Sequence, residues 1–429
     1  MSGLVDARGQ RPRPQRSNVR WGVLALLFAA TAINYLDRQI IGVLKPTIQA
    51  DLNWSEADYA SLIFWFQAAY ATGYFLFGRV IDRIGVRQGL AIALFVWTAA
   101  HVAHAAVFTV LGFACARIAL GLGEGGAFPG GLKAIAEWFP KRERAFAVGV
   151  FNSGTNIGAI LTPILVPIVT LSFGWRWAFV LTGVLGILWL AAWWLYYRTP
   201  RAHPGVSDAE LAVVESDPPD PVQPTPLRAL LRTRELWAYA GAKFLVDPVW
   251  WLFLFWLPDF LFKTHGLNLK TFGLPLVVIY ISSDVGAVAG GWMSSRLMQA
   301  GRSINVSRKV SMLVAAVCVI PVVYASTVSN LWHAVGLLSL ATAAHQAFAA
   351  NLFTLPSDLF PRSAVGTVVG AGGALGAVGG MLMARYVGWI LTTSGGYAPI
   401  FALCAGLYLV ALLLIHVLSP RYELVERIP

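Results

Sequence analysis

Apolar runs of about 20 residues, the length an α-helix needs to cross a bilayer's hydrocarbon core, recur along the whole chain. Between them lie short stretches where Arg, Lys, Asp, Gly and Pro collect. The pattern predicts an all-α polytopic membrane protein of twelve spans. Spans one to five cover about Trp21–Leu44, Tyr59–Phe77, Gly89–Thr109, Gly112–Phe139 and Ala145–Leu171. Span six ends in the aromatic belt Trp193, Trp194, Tyr196 and Tyr197 before Arg198. From Thr199 to about Glu235 the chain turns to prolines, acids and arginines, including Pro218, Pro219, Asp220 and Pro221, which predicts a solvated linker. Span seven begins near Leu236, span eight covers Thr271–Leu297 and span ten Trp332–Leu355. Span eleven is a glycine run, Gly366 to Gly380, and span twelve closes near Leu418. The expected organisation is a tail (1–20), a six-helix bundle (21–198), a linker (199–235), a second bundle (236–418) and a short tail (419–429).

Composition agrees: 57% of the 429 residues are hydrophobic and 12% charged, with mean hydropathy +0.65. A net charge of +11 does not point to nucleic acid, because the basic residues fall between apolar runs and alternate sides. Arg8, Arg11, Arg13, Arg16 and Arg20 precede the first span, and Lys141, Arg142 and Arg144 follow the fourth. Lys45, Arg176, Lys263 and Lys270 are scattered singly on the opposite side. Both termini are therefore expected in the cytoplasm of a multi-pass cell-membrane protein with an uncleaved first span. Cys115, Cys318 and Cys404 lie inside apolar runs, which offers neither a disulfide framework nor a metal site.

The chemistry sits in the polar exceptions. Arg117 and Glu124, seven apart in an apolar run, share a helix face about 10 Å apart along the axis. A mid-membrane charge costs about 3 kcal/mol or more, so each needs a wet cavity or an opposite charge. A buried ion pair that only joins two helices is the plainer reading. Glycines from Gly121 to Gly131 admit a close neighbour. Asn34, Asp37 and Arg38 cluster in span one, Tyr70 lies in span two, and Asn152 and Asn156 share a face of span five. Lys243 and Asp247, four apart, suit a structural pair or a cavity role. Asp284 lies in span eight, and His345, Gln346, Asn351 and Thr354 lie in span ten. His345 equally suits a neutral helix contact, and Trp250 and Trp251 suit packing as well as sugar stacking. The stretch Gly78 to Arg87 reads as a sharp loop, with its glycines for the turn and Asp82 for a helix N-terminus.

The halves repeat weakly. An offset of 221 aligns Phe139-Pro140 with Phe360-Pro361, Val148-Gly149 with Val369-Gly370, and Gly158 with Gly379. It sets His345 opposite Glu124 and Leu338 opposite Arg117, which concentrates charge in the first half. Parallel repeats around a midplane site are a recurring transporter plan. No HExxH, GxSxG elbow or phosphate loop supports an enzyme, and no cofactor is implied.

The twelve spans, the Gly78 to Arg87 loop and its degenerate copy Gly291 to Arg296 resemble the major facilitator superfamily over the whole chain. Asn34 to Arg38 and Arg117 to Pro129 resemble its anion:cation symporter branch. Lys243 to Trp251, Ala344 to Gln346, Asn351 to Thr354 and Gly370 to Gly380 resemble the hexuronate transporters within it. The resemblance implies proton-coupled import of galacturonate or glucuronate by a monomer. Arg38 would hold the carboxylate, Asp37 would pair with Arg117 and couple protons, Glu124 would be the protonatable acid near substrate, and Tyr70 would hydrogen-bond in the cavity. Arg117, Asn156, Trp250, His345, Gln346 and Asn351 complete the expected substrate set, and Gly78, Asp82, Arg83 and Arg87 a conformational latch. Gly373 and Ala377 stand where other sugar-acid members carry asparagines. Symport of an aldonate, an aldarate or an aromatic carboxylate is the alternative, and a non-transporting sensor a more distant one.

Overall fold

The computed structural model describes residues 17–216 and 227–423, so the first four arginines of the N-terminal tail, the Pro218 to Pro221 run and the end of the C-terminal tail lie outside the described residues. The first half consists of α1 (Val19–Leu52), α2 (Glu56–Ile84), α3 (Val86–Ala103), α4 (Val110–Glu124), α5 (Ala127–Trp138), α6 (Lys141–Phe173) and α7 (Trp175–Tyr196). Two short helices, α8 (Asp208–Val214) and α9 (Leu227–Leu230), lie in the connecting stretch. The second half consists of α10 (Arg234–His265), α11 (Gly273–Gln299), α12 (Ile304–Val319), α13 (Leu331–Leu352), α14 (Leu355–Leu359), α15 (Arg362–Thr393) and α16 (Ala398–Leu418). No strand occurs among the described residues. Among them, eleven helical segments are long and apolar enough to cross a membrane. The twelfth, α13, is diluted by His333, His345, Gln346 and Asn351.

The repeat seen in sequence is a repeat in space. Spans four and ten each break near their end, at Gly125–Gly126 and at Phe353–Thr354. The helices that follow start from Pro140 and Pro361, which share one conformation (φ −64°, ψ 155° and φ −62°, ψ 151°). Proline suits that place because its fixed φ is ready for a helix and it has no N–H to leave unpaired.

Local chemistry sets the turns. Asn53 is left-handed after α1 (φ 53°), and Ser55 and Asp58 then cap each other's backbone N–H at 3.1 and 2.9 Å, which starts α2. This tight reversal brings Glu56 back beside Lys45 of α1. Between α2 and α3 the turn is made by Gly85 (φ 84°) alone. Gly78 lies within helix α2 and faces open space, so its expected part in the turn is corrected. Asp82 caps no helix either: it sits in the last turn of α2 and takes the ammonium of Lys133 at 2.7 Å. Arg87 donates to the carbonyl of Trp194 at 2.6 Å, and Arg83 is exposed. The connecting stretch is partly ordered. Glu210 of α8 accepts the backbone N–H groups of Val19 (3.1 Å) and Arg20 (3.0 Å), placing a carboxylate on the positive end of α1.

The halves meet through α1 with α10, α2 with α15, and α6 with α11. These contacts lie toward one end. A Cβ on Gly388 of α15 would stand 2.4 Å from Ala60 of α2, and one on Gly42 of α1 would stand 3.0 Å from the Leu254 carbonyl of α10. At the other end, a Cβ on Gly78, Gly149, Gly291, Gly366 or Gly370 would meet nothing within 4 Å. The halves therefore splay apart at the end that carries the start of α1. Within the first half the packing is tight, because Gly154 of α6 lies against Thr31 and the Phe28 carbonyl of α1 and leaves no room for a side chain. Gly154→Val should abolish monodisperse folded protein in detergent size-exclusion chromatography, whereas Gly149→Val, where a Cβ meets nothing within 4 Å, should elute as wild type.

Candidate functional site

Four buried charges of the first half meet near the middle of the membrane. Asn34 and Arg38, one turn apart on α1, face α4 and α2. Arg38 is 1% exposed; its Nε donates to Glu124 at 2.8 Å and its NH2 to Asn34 at 2.9 Å. Aromatic rings surround the guanidinium: Tyr35 and Tyr70 at 4.7 Å, Trp251 of α10 at 5.1 Å and Phe66 at 5.7 Å. This cage holds a planar cation flat while one carboxylate binds one edge. Trp251 belongs to the second half, so the cage spans both.

The pairing of Asp37 with Arg117 that the resemblance implies is not formed. Asp37 points toward α3, where Trp97 donates to it at 3.1 Å and His101 Nε2 stands 3.3 Å away, itself 2.8 Å from the Thr182 hydroxyl. Arg117 is fully buried, and among the described residues none of its nitrogens has a hydrogen-bond partner; the Phe66 ring lies 5.8 Å from it. One oxygen of Glu124 is likewise free. Two arginines and two acids thus share one dry region with only one direct ion pair between them.

The second half supplies polar groups of a different kind. Trp250 stacks on His345 at 5.3 Å, with ring planes 9° apart, and His345 Nδ1 lies 2.6 Å from the Tyr408 hydroxyl. Trp250 also lies near the side chain of Tyr35, across the halves. Asn156 of α6 faces Asp284 of α11, and Gln346 is half-buried beside His345. Asn351 is elsewhere. Wholly buried, it donates to the carbonyls of Gly290 (3.1 Å) and Ala347 (3.0 Å) and accepts from Arg308 at 3.4 Å. Its hydrogen-bonding capacity is used in clasping α11 to α13, so its expected place in the substrate set is corrected. Thr354 is turned back onto the Asn351 carbonyl at 2.8 Å.

A second charge cluster shuts the closed end, and the linear pattern hid it because its charges come from three helices, α1, α2 and α10. Lys45 Nζ reaches Glu56 at 2.7 Å and Asp259 of α10 at 2.8 Å. Lys263 reaches Glu56 at 2.5 Å and Asp259 at 3.0 Å, and the Tyr397 hydroxyl donates to Asp259. The Tyr59 ring covers Lys45 at 4.9 Å while its hydroxyl donates to the Phe255 carbonyl at 2.8 Å. Two positive and two negative groups cancel here, and two of the four ion pairs cross from one half to the other.

Residues 27–384 match the model of the Major Facilitator Superfamily. The chain belongs to that superfamily. It is a multi-pass membrane transporter and not an enzyme. It is 33% identical to the hexuronate transporter of Escherichia coli K12 over 414 residues, 95% of this chain and 96% of that one. The galacturonate transporter of Dickeya chrysanthemi is 33% identical over 309 residues, 70% of this chain and 89% of that one. A bacterial homologue of the human lysosomal transporter Spinster, solved inward-facing and unoccupied, shares the fold with a TM-score of 0.72 at 17% identity, over 95% of this chain and 97% of that one. The closed-end cluster is where ion pairs tie one half to the other. Lys45→Met leaves Asp259 one cation short and should loosen it. In a cysteine-free background, a cysteine placed at Ala60 should label several-fold faster with a membrane-impermeant thiol reagent in the Lys45→Met protein than in its parent.

Proposed function

We propose that the chain is a proton-coupled symporter that imports a sugar-acid anion, a hexuronate such as galacturonate or glucuronate, across the cell membrane. The observation that carries this reading is the caged Arg38 held by Glu124 beside the unpaired Arg117. Its two cations and two acids form a set whose net charge is zero when both acids are ionised, so an incoming carboxylate finds no surplus positive field. Protonating Glu124 removes the carboxylate from Arg38 Nε and frees the guanidinium for two parallel hydrogen bonds to the substrate. Proton and anion then each favour the binding of the other. The loaded site is neutral again, which suits passage through a low-dielectric region. The named relatives support the hexuronate assignment.

With both termini in the cytoplasm, as the positive-inside pattern implies, the splayed end faces inward and the Lys45 to Lys263 cluster closes the outside. Rocking of the halves would exchange the two ends. Asp37, turned toward His101 and Trp97, is the second acid in reach of this charge set and the other candidate for proton coupling. Tyr70 lines the Arg38 cage, and Gly78, Asp82, Arg83 and Arg87 lie at the inner edge as latch residues.

Labelled galacturonate should enter proteoliposomes faster under an inward proton gradient, with cold hexuronates competing better than galactonate or benzoate. Uptake indifferent to the gradient would sink the coupling, and best competition by another acid would replace the substrate. Glu124→Gln should keep substrate exchange but lose uphill accumulation; accumulation equal to wild type would remove Glu124 from the mechanism. Arg38→Lys, which cannot make the bidentate contact, should lower uptake about tenfold or more.

A further inference from the structure

Lys243 and Asp247, one turn apart on α10, form an ion pair at 2.6 Å inside the membrane. A pair that served only to neutralise itself would be expected sealed, as Lys45 and Asp259 are, with side chains 0% and 1% exposed. The Lys243 and Asp247 side chains are instead 10% and 20% exposed. Both keep unused capacity: an ammonium has three N–H donors and a carboxylate about four acceptor positions. Apart from Asp247, the neighbour of Lys243 is a ring face, Phe353 at 4.4 Å.

The surrounding backbone is cut to admit the carboxylate. A Cβ on Gly376 of α15 would stand 2.1 Å from Asp247 Oδ2, so any side chain there would displace it. Gly373, one turn earlier, faces open space. The notch therefore adjoins open space on a face where α15 offers no polar group of its own. The pair also connects to the Arg38 cage. Trp250 follows Asp247 by three residues, stacks on His345 and lies near Tyr35, whose ring is 4.7 Å from Arg38.

We propose that Lys243 and Asp247 form the subsite that reads the hydroxyl-bearing end of the transported carboxylate. One hydroxyl donates to Asp247, and a neighbouring hydroxyl accepts from Lys243. Trp250 supplies an apolar wall between this subsite and the carboxylate end at Arg38. Because Arg38 belongs to the first half and the pair to the second, a polyhydroxylated acid spans both halves, whereas a hydroxyl-free acid engages only one. This inference rests on the sugar-acid reading of the site.

The test measures, in proteoliposomes, half-saturation by galacturonate and inhibition by cyclohexanecarboxylate, a hydroxyl-free carboxylate. Lys243→Gln and Asp247→Asn should raise the galacturonate value about tenfold or more, because a site built to bond hydroxyls loses most when that bond is lost. Inhibition by cyclohexanecarboxylate should change less than about twofold on the same grounds. The exchanged double variant, Lys243→Asp with Asp247→Lys, keeps an ion pair and should recover thermal stability but not galacturonate affinity. If the neutral variants do not accumulate, Lys243→Arg and Asp247→Glu keep the pair and should still weaken galacturonate selectively. Equal losses for both acids, or recovery of galacturonate affinity in the exchanged variant, would overturn the subsite. A wild-type protein that takes up no sugar acid would instead overturn the functional reading beneath it.

Discussion

A charge moved from water to the middle of a bilayer costs about 3 kcal/mol or more unless something opposes it, and the ion pair between Arg38 and Glu124 meets that constraint at the centre of this molecule. Much of the first half is arranged around the pair. Asn34 takes a second donor of the guanidinium, and Tyr35, Phe66 and Tyr70 line its faces. Glycines at 121, 123 and 125 let α4 pack against α2 and α3 closely enough to bring Glu124 into range, since a Cβ at any of them would stand 2.4–2.6 Å from a neighbouring backbone. Arg117 is the exception, a buried cation without a hydrogen-bond partner among the described residues. A buried charged group in that state is costly to keep.

The two ends of the cleft use opposite physics. At the closed end, charges are sealed: Lys45 and Asp259 are almost wholly buried, and their attraction is strong because water is excluded. At the splayed end, glycines on α2, α6, α11 and α15 face open space, so little holds the halves together there. A transporter that alternates between such states needs a closed end whose ion pairs can be replaced by hydration when it opens. Charged pairs satisfy this better than interlocked apolar side chains, because each partner is well solvated when separated.

The second half contributes stacked rings, a histidine and one partly exposed ion pair. The first half thus contributes the Arg38–Glu124 pair and the second half mainly rings and uncharged polar groups. His345 stands where the repeat places it opposite Glu124, yet it is packed between Trp250 and Tyr408, in the manner of a positioning group that fixes the indole.

The sequence by itself determined the spans, the repeat that aligns Pro140 with Pro361, and the intramembrane charges Arg38, Arg117 and Glu124. These were legible because each follows from run length, from an offset within the chain or from a charge where hydrocarbon forbids one. Only the tertiary structure decided which charges pair. Asp37 and Arg38 are adjacent in sequence, but neighbours on a helix point about 100° apart, and one side chain goes to His101 while the other goes to Glu124. Asn351 looked like a ligand by type and was instead a clasp for a carbonyl of another helix. Lys45 and Lys263 looked like scattered single charges, and join Glu56 and Asp259 in one cluster because helix segments far apart in the chain converge there. Composition and periodicity fix where a residue lies along the membrane normal, whereas its partner across the bundle depends on helix rotation and crossing, which only packing sets.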